Sequence, residues 1–186
     1  MQTYTAAKEI LGTNCYIELA DQTATEAELI LNDALNSLSD FEQRFSRFID
    51  SSELNLLNKN LDCWQNVSPE LFEMLFLAEQ VKQNTNGSFD VTVSGLLNSW
   101  GYDKNYSLQE DKTIEISLGR VEFKESDKVR ITRPCDLGGI GKGYALDFVA
   151  RGIRNNSQAF FLNFGGDIYI KKSSSSLQQS KLKKLG

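Results

Sequence analysis

The segment CDLGGIGKGYALD, residues 135–147, holds four glycines and one lysine between Asp136 and Asp147. Each glycine costs about 0.5–1 kcal/mol relative to alanine inside regular structure. Such a cluster therefore indicates a backbone that bends sharply or that another group approaches closely. Backbone N–H groups at the start of a helix, with Lys142 beside them, suit an anion. One function that this pattern can serve is the binding of a phosphate group.

Neither common phosphate-binding motif is complete here. A P-loop needs serine or threonine directly after Gly-Lys, and Gly143 occupies that position. The dinucleotide fingerprint needs an acidic residue about twenty positions later, where this chain has QAFFLNF. Two interpretations therefore stay open, an anion site and a tight strand-to-helix connection with Lys142 in solvent.

The chain has no histidine, which excludes Ser-His-Asp and Cys-His centres and histidine-ligated metals. Its three cysteines are odd in number and widely spaced, so we expect reduced thiols rather than a disulfide frame or a zinc site. Acid–base chemistry would then fall to carboxylates, lysine, tyrosine or water.

Charge is unevenly distributed along the 186 residues. The net charge is -5, but residues 171–186 contain five lysines and no acid, so residues 1–170 carry 15 basic and 25 acidic groups. An acidic body argues against non-specific nucleic-acid binding, which depends on neutralising phosphates. No apolar run reaches membrane-spanning length and no signal peptide is visible, so we expect a cytoplasmic protein without a membrane segment.

Periodicity predicts the elements of the N-terminal half. TYTAAKEILGT and CYIEL read as two strands joined by a turn at residues 12–14. A helix is expected over residues 25–48, with Thr25 and Glu28 as a capping box, and residues 50–52 should cap a short turn. A second helix should begin at Ser68-Pro69 and stop near residues 86–87. Its expected buried face consists of Phe72, Leu75, Phe76, Ala78 and Val81.

The C-terminal half reads mainly as short strands. SFDVTV, TIEIS, RVEF and KVRIT are expected strands, with KESD as the turn between the last two. A helix over residues 142–154 should precede the buried strand AFFLNF, a turn at residues 165–167 and the strand IYI. We expect one α+β domain over residues 1–170, with a mixed or antiparallel sheet and a few helices, and a disordered Lys/Ser-rich tail over residues 171–186.

Three segments together resemble the FAD:protein FMN transferase family, also called ApbE-like. They are NGSFDVTVSGLLNSWGY, DLGGIGKGYALD and FLNFGGD, and LGTNCYIEL, FSRFIDSSELNLLN and VSPELFEMLFLAEQV match earlier segments of that family in order. The resemblance covers residues 11–170. It implies a T-fold-related domain that is incomplete at the C-terminus. It also implies magnesium-dependent transfer of FMN from FAD to a threonine of an acceptor protein, with release of AMP.

The resemblance also assigns binding residues, each by its matched position. Leu11 stands near the flavin, where the family usually has methionine, and Phe48 stands where it often has tyrosine. The matched contacts to the flavin nucleotide are Ser88, Phe89 and Asp90.

The glycine segment supplies the other matched positions. Asp136 and Lys142 correspond to further FAD contacts, and Gly139 corresponds to a backbone-carbonyl ligand of Mg²⁺. The resemblance assigns no catalytic residue. It implies that the glycines leave space for the pyrophosphate and the metal.

Family members continue well beyond the GGD turn, with a histidine-containing segment and later an aspartate and a threonine that complete the metal shell. This chain stops sixteen residues after Ile170. The main alternative to a transferase is thus a truncated, catalytically inactive flavin- or nucleotide-binding fragment. A third possibility is an anion-binding module that uses the glycine loop without flavin.

Overall fold

The computed structural model describes residues 2–102, 107–108, 117–125 and 127–172. Its helices and strands are, in order, β1 (Thr3–Ile10), β2 (Thr13–Ala20), α1 (Ala24–Phe45), α2 (Glu53–Lys59), β3 (Gln65–Asn66), α3 (Pro69–Asn84), α4 (Ser94–Ser99), β4 (Val121–Lys124), β5 (Lys128–Ile131), α5 (Gly141–Arg154), β6 (Ala159–Phe164) and β7 (Asp167–Lys171). The strands form two sheets, ordered β1-β2-β6-β7 and β3-β5-β4, and the strand pairs in them are antiparallel. This confirms the α+β class.

The chain folds as two compact units. The first unit combines residues 1–40 with residues 142–186, and the second unit is residues 41–141. The assignment of residues 1–170 to one domain stays a prediction. Among the helices of the described ranges, none has the length and apolar character that crossing a bilayer requires.

The first unit is organised around β2 and β6, the two inner strands of the four-stranded sheet. Their side chains alternate between faces, as the pleat requires, and one face is buried. The buried residues of that face are Cys15, Ile17, Leu19, Phe160, Leu162 and Phe164. The helix α5 contributes a buried stripe at steps of three and four, namely Tyr144, Ala145, Leu146, Val149, Ala150 and Ile153.

Both hairpin turns of this sheet differ slightly from the prediction. Residues Leu11 and Gly12 form the first turn, with φ of 56° and 69°, and Thr13 already pairs with Ile10. Gly165 and Gly166 form the second turn, and Asp167 belongs to β7. The predicted turn at residues 12–14 was wrong because a left-handed leucine, which costs about 1–2 kcal/mol, is not expected from residue type.

The N-terminus of α1 is capped two residues earlier than predicted. Thr23 and Glu26 form the capping box: the backbone N–H of Thr23 donates to Glu26 Oε2 at 3.0 Å, and the N–H of Glu26 donates to Thr23 Oγ1 at 3.4 Å. The prediction of Thr25 and Glu28 was wrong because TATEAE contains two overlapping Thr-x-x-Glu patterns. The helix also ends at Phe45, three residues before the predicted end.

The second unit contains both expected caps, and the cap expected within residues 50–52 begins a helix rather than a short turn. Ser52 caps α2 and Ser68 caps α3, with Pro69 in the first turn of α3. The predicted buried face of α3 was wrong in part, because the buried residues are Leu71, Met74, Leu75 and Ala78. The helix carries two apolar stripes. The second stripe contains Phe72 and Phe76. Their rings make edge contacts with the ring of Phe123 in β4, with ring centroids 5.3 and 5.6 Å apart.

The predicted strand SFDVTV is absent, and residues 88–93 instead form turns that lead into α4. The cause is Asp90, whose carboxylate accepts hydrogen bonds from the N–H and the hydroxyl of Thr92, both at 2.7 Å. This local bond folds the backbone back where β-branched residues would otherwise favour extension. The predicted strands RVEF, KVRIT, AFFLNF and IYI and the helix from about residue 142 are confirmed. Residues 113–116 of the predicted strand TIEIS and residues 173–186 of the tail lie outside the described residues. The predicted start of the disordered tail at residue 171 was wrong, because Lys171 is the last residue of β7 and pairs with Phe160.

Two glycines in left-handed turns give a test of the four-stranded sheet. A Cβ on Gly165, at φ of 64°, would lie 2.4 Å from Thr13 Oγ1, whereas a Cβ on Gly12, at φ of 69°, would meet no atom within 4 Å. Gly12→Ala should lower the free energy of unfolding by about 1 kcal/mol from backbone strain, and Gly165→Ala by about 3 kcal/mol because the collision adds to it. Urea unfolding of the two variants measures the difference. Equal losses would contradict the packing of Gly165 against Thr13.

Candidate functional site

The structure brings most of the predicted site residues into the second unit. Phe48, Ser88, Phe89, Asp90, Asp136 and Gly139 belong to this unit, and Leu11 and Lys142 belong to the first unit. Leu11 is half-buried in the left-handed turn between β1 and β2. Lys142 is half-buried in the first turn of α5.

Asp136 joins the glycine loop to the turn segment at residues 88–93. Its backbone N–H donates to the carbonyl of Val91 at 2.7 Å. Its side chain accepts the N–H of Gly138 on Oδ1 at 2.7 Å and lies 2.6 Å from Arg47 Nε through Oδ2. The carboxylate is only 13% exposed. Two predicted nucleotide-binding segments are therefore joined by a direct backbone hydrogen bond.

Packing inside the protein accounts for two of the four glycines. A Cβ on Gly139 would lie 2.8 Å from the ring of Phe89, and a Cβ on Gly138 would lie 2.8 Å from Asp136 Oδ1. Both distances are shorter than real Cβ contacts, so alanine would displace the ring or break the hydrogen bond of the loop. The ring of Phe89 and the loop thus lie against each other.

The other two glycines have no such explanation. A Cβ on Gly141 would meet Leu137 at an ordinary 3.8 Å, and a Cβ on Gly143 would meet nothing within 4 Å. Neither has a positive φ, and both lie in the first turn of α5, which contains no acidic residue. The main chain on both sides of Lys142 therefore lacks side chains, although no packing contact among the described residues requires glycine there. This stretch is also the positive, N-terminal end of α5.

The side chain of Asp90 is almost fully buried, which leaves little of it exposed for direct contact with a ligand. Its side chain is 3% exposed, Oδ1 accepts both bonds from Thr92, and Oδ2 lies 2.6 Å from Lys82 Nζ. Apart from this ion pair, Oδ2 has no hydrogen-bond partner in the described part of the chain. Burial alone would raise the pKa of Asp90, but the Lys82 ammonium and the Thr92 donors outweigh it, and the pKa lies below its usual range. Asp90 therefore anchors its own turn, and its contact with a nucleotide stays a prediction.

Arg47 is a residue of this site that sequence reasoning missed. Its guanidinium pairs with Asp136, donates from Nη1 to Asn98 Oδ1 at 2.8 Å and from Nη2 to the carbonyl of Tyr102, and lies 4.3 Å over the ring of Phe48. The local sequence FSRF contains no partner for it, because the carboxylate comes from a distant segment. Lys82 was missed for the same reason. A basic residue in the last turn of α3 is an ordinary helix feature.

Cys135 precedes Asp136 and is fully buried. Its N–H donates to Asn58 Oδ1 at 2.7 Å and its carbonyl accepts from Asn58 Nδ2 at 2.9 Å, which secures the start of the loop to α2. Burial, together with the charges of Asp90 and Asp136, raises the pKa of the Cys135 thiol to about 12. The thiol is therefore protonated and unreactive at neutral pH. Cys15, Cys63 and Cys135 are all free thiols in the structure.

Magnesium can be tested against the side chains present. Within residues 2–102, 107–108, 117–125 and 127–172, no group of three carboxylates or thiols lies close enough to hold a metal ion. Magnesium requires about six oxygen ligands, so the exposed main chain of Gly139 would supply one ligand of an incomplete set. The described residues do not by themselves form a magnesium site.

The Asp90–Lys82 pair gives a test based on pH. Asp90→Asn should lower the free energy of unfolding by about 2–4 kcal/mol at neutral pH, because it leaves a largely buried ammonium without its counter-charge. A carboxyl whose pKa is depressed by folding stabilises the protein above its unfolded pKa, and this stabilisation is lost as the pH falls through the folded pKa. The difference between wild type and variant should therefore be constant from about pH 7 to about pH 5 and shrink below the ordinary aspartate pKa of 3.8.

Urea unfolding at a series of pH values measures this dependence. Glu70→Gln is the control, because Glu70 is 32% exposed and pairs with the exposed Arg44 at 3.0 Å. Its loss should be below about 1 kcal/mol. A difference between wild type and Asp90→Asn that does not change with pH would contradict the assignment.

Comparison with known proteins places this arrangement in a family. The model of the ApbE family matches residues 11–180. The FAD:protein FMN transferase of Haemophilus influenzae is 25% identical over 169 residues, which are 82% of this chain and 47% of that protein. This chain therefore spans about half the length of the curated relative that it matches.

Solved structures agree with the sequence comparison. The ApbE protein of Thermotoga maritima superposes with a TM-score of 0.76 and 25% identity, covering 91% of this chain and 59% of that chain. The flavin transferase ApbE of Vibrio cholerae gives a TM-score of 0.79 at 20% identity, covering 91% and 59%. The flavinyl transferase ApbE of Pseudomonas stutzeri gives 0.79 at 16% identity, covering 91% and 60%. The fold, the glycine loop and the family match lead to one conclusion: this chain belongs to the ApbE family.

Proposed function

We propose that the protein acts as an FAD:protein FMN transferase, moving FMN from FAD to a threonine of an acceptor flavoprotein, with magnesium as the required metal and AMP as the second product. The observation that carries the proposal is the bare main chain at Gly141 and Gly143. It lies beside Lys142 at the start of α5 and is not required by packing among the described residues. The relative that is named for this activity comes from the same family.

The proposed reaction is a nucleophilic displacement at phosphorus. The threonine hydroxyl oxygen forms a bond to the phosphorus of the FMN half, the bond from that phosphorus to the bridging oxygen breaks, and AMP leaves with the electron pair. The hydroxyl proton passes to a general base. Bound magnesium would supply charge neutralisation of the diphosphate.

The residues of this chain contribute binding and orientation. Lys142 and the N–H groups of the first turn of α5 offer positive charge to the diphosphate. The half-buried rings of Phe48 and Phe89 offer apolar surface for a flat ring system. Asp136, held rigidly, and the exposed Ser88 offer polar contacts to the nucleotide. Leu11 contributes an apolar contact near the flavin.

A second candidate function is flavin or nucleotide binding without turnover. It is favoured by the incomplete metal ligand set among the described residues. An anion-binding function without flavin would need only the first turn of α5.

One assay separates these functions. The protein is incubated with FAD, MgCl₂ and an acceptor domain, and the acceptor is inspected for flavin fluorescence on a denaturing gel while AMP is quantified. We expect a fluorescent acceptor and an equal amount of AMP, both abolished when the acceptor threonine is replaced by valine. FAD binding without labelling would support the fragment. Failure to bind FAD would contradict both flavin functions.

Two glycines of the same helix give a matched test of the diphosphate contact. Gly143 and Gly152 both lie in α5, and a Cβ on either would meet nothing within 4 Å. Alanine at either position should raise the free energy of unfolding by about 0.4–1 kcal/mol, since it restricts the unfolded chain. Only Gly143→Ala should weaken FAD binding, by roughly tenfold, because its methyl group occupies space beside the phosphates.

Fluorescence titration with FAD measures the FAD affinity of the two variants, and urea unfolding verifies that both variants fold. Equal FAD affinity in Gly143→Ala and Gly152→Ala would show that the space at Gly143 is not used by the ligand. Lys142→Ala should weaken FAD binding in the same titration.

A further inference from the structure

Arg47 connects its own segment with the glycine loop and the end of α4, and its side chain is only 8% exposed. Its three nitrogens each have a separate acceptor: Asp136 in the glycine loop, Asn98 in α4, and the carbonyl of Tyr102 after α4. Its flat face covers the ring of Phe48, its own neighbour in the chain. Every part of the group is therefore engaged.

We propose that Arg47 is a positioning residue for FAD, which sets the placement of the Asp136 carboxylate and the Phe48 ring relative to each other. This inference rests on the proposed function, because Asp136 and Phe48 are matched FAD contacts. Arg47 does not itself contact the ligand. It acts through two groups that do.

The effect on Asp136 follows from how its two oxygens are held. Arg47 Nε holds Oδ2 and the N–H of Gly138 holds Oδ1, so the carboxylate has one orientation and the loop after it has one turn. Without the guanidinium, Oδ2 would lose its charged partner and the carboxylate could rotate toward solvent. The Gly138 bond and the turn at Gly138–Gly139 would then loosen.

A lysine cannot replace Arg47 in this role. A guanidinium is planar and offers donors in a fixed fork, whereas an ammonium is a compact point charge on a flexible stem. Lysine at position 47 would keep the charge, but it would not fix the Asp136 carboxylate in one orientation. It would lose the simultaneous bonds to Asn98 and Tyr102 and the flat stacking on Phe48.

The chain contains a second arginine of the same kind outside this site. Arg44 lies 4.6 Å over the ring of Phe45, the residue that follows it, and pairs with Glu70 at 3.0 Å and Glu53 at 3.5 Å. It is 40% exposed, and these ion pairs and this ring contact involve none of the matched FAD residues. Arg44→Lys therefore makes the same chemical change as Arg47→Lys without altering the site.

The experiment measures two quantities on wild type, Arg47→Lys, Arg44→Lys and Asp136→Asn. The first is FAD affinity by fluorescence titration, and the second is hydrogen exchange of the amide of Gly138. We expect Arg47→Lys to weaken FAD binding by roughly tenfold, as for the loss of hydrogen bonds made by a charged group. We also expect faster exchange at Gly138. Arg44→Lys should leave both quantities at wild-type values.

A double variant, Arg47→Lys with Asp136→Asn, separates positioning from general stabilisation. If Arg47 acts through Asp136, the two losses of FAD affinity add up to less than their sum, because the part that passes through Asp136 is lost only once. Additive losses would overturn the proposal. So would unchanged exchange at Gly138 in Arg47→Lys.

The two proposals fail in different ways. Absence of FAD binding by the wild-type protein would refute the proposed function and the FAD role of Arg47 together. FAD binding by wild type that Arg47→Lys leaves unchanged would refute the positioning role alone. Should Arg47→Lys not fold, Asn98→Ala removes one acceptor of the guanidinium at an exposed position. It should speed exchange at Gly138 in the same direction, and unchanged exchange would overturn the proposal.

Discussion

The carboxylate of Asp136 lies between a guanidinium and a backbone N–H, and the geometry of the candidate site depends on this contact. A nearly buried charge is tolerated only when a counter-charge and hydrogen bonds meet it in good geometry. Arg47 and Gly138 provide both. Because the backbone N–H of Asp136 also donates to the carbonyl of Val91, the same residue attaches the start of the glycine loop to the turn segment at residues 88–93. One ionic contact thus orders two segments that are distant in the chain.

A second buried carboxylate, that of Asp90, holds the turn segment at residues 88–93 from within. Asp90 pairs with Lys82 and holds Thr92, whose hydroxyl accepts the N–H of Gly119 at 2.7 Å. The turn segment is therefore held by one ion pair and several hydrogen bonds, although it contains no regular strand. A rigid irregular segment of this kind can present side chains such as Phe89 to a ligand with little loss of conformational entropy on binding.

The four glycines of the loop divide into two physical classes. Gly138 and Gly139 are needed by the protein itself, since a methyl group would collide with Asp136 or Phe89. At Gly141 and Gly143, in the first turn of α5, a Cβ would make an ordinary contact or none, so these glycines reduce the stability of that helix without a packing reason. We propose that this second class leaves room for a bound group. This chain covers 47% of the Haemophilus influenzae protein. The flavin-transfer assay therefore decides whether this chain turns over FAD.

The sequence by itself determined the elements whose signals are local. The 3.6-residue period of α5, the serine caps at Ser52 and Ser68 and the buried strand at residues 159–164 follow from neighbouring residues, and all three are present. The family resemblance was also readable, since it depends on the order of short motifs. Where two local signals competed, as in TATEAE or in the two stripes of α3, the sequence could not choose between them. The choice depends on what packs against each helix.

Only the tertiary structure decided which charges meet. Arg47 and Asp136 lie in different segments, and nothing in FSRF or CDLGG indicates that they pair. The same holds for the strand predicted over SFDVTV. There, β-branched residues favoured extension, and a buried carboxylate bonded to Thr92 imposed a turn. Long-range ionic contacts form when the chain has folded and water has left them, so their partners cannot be deduced from spacing along the sequence.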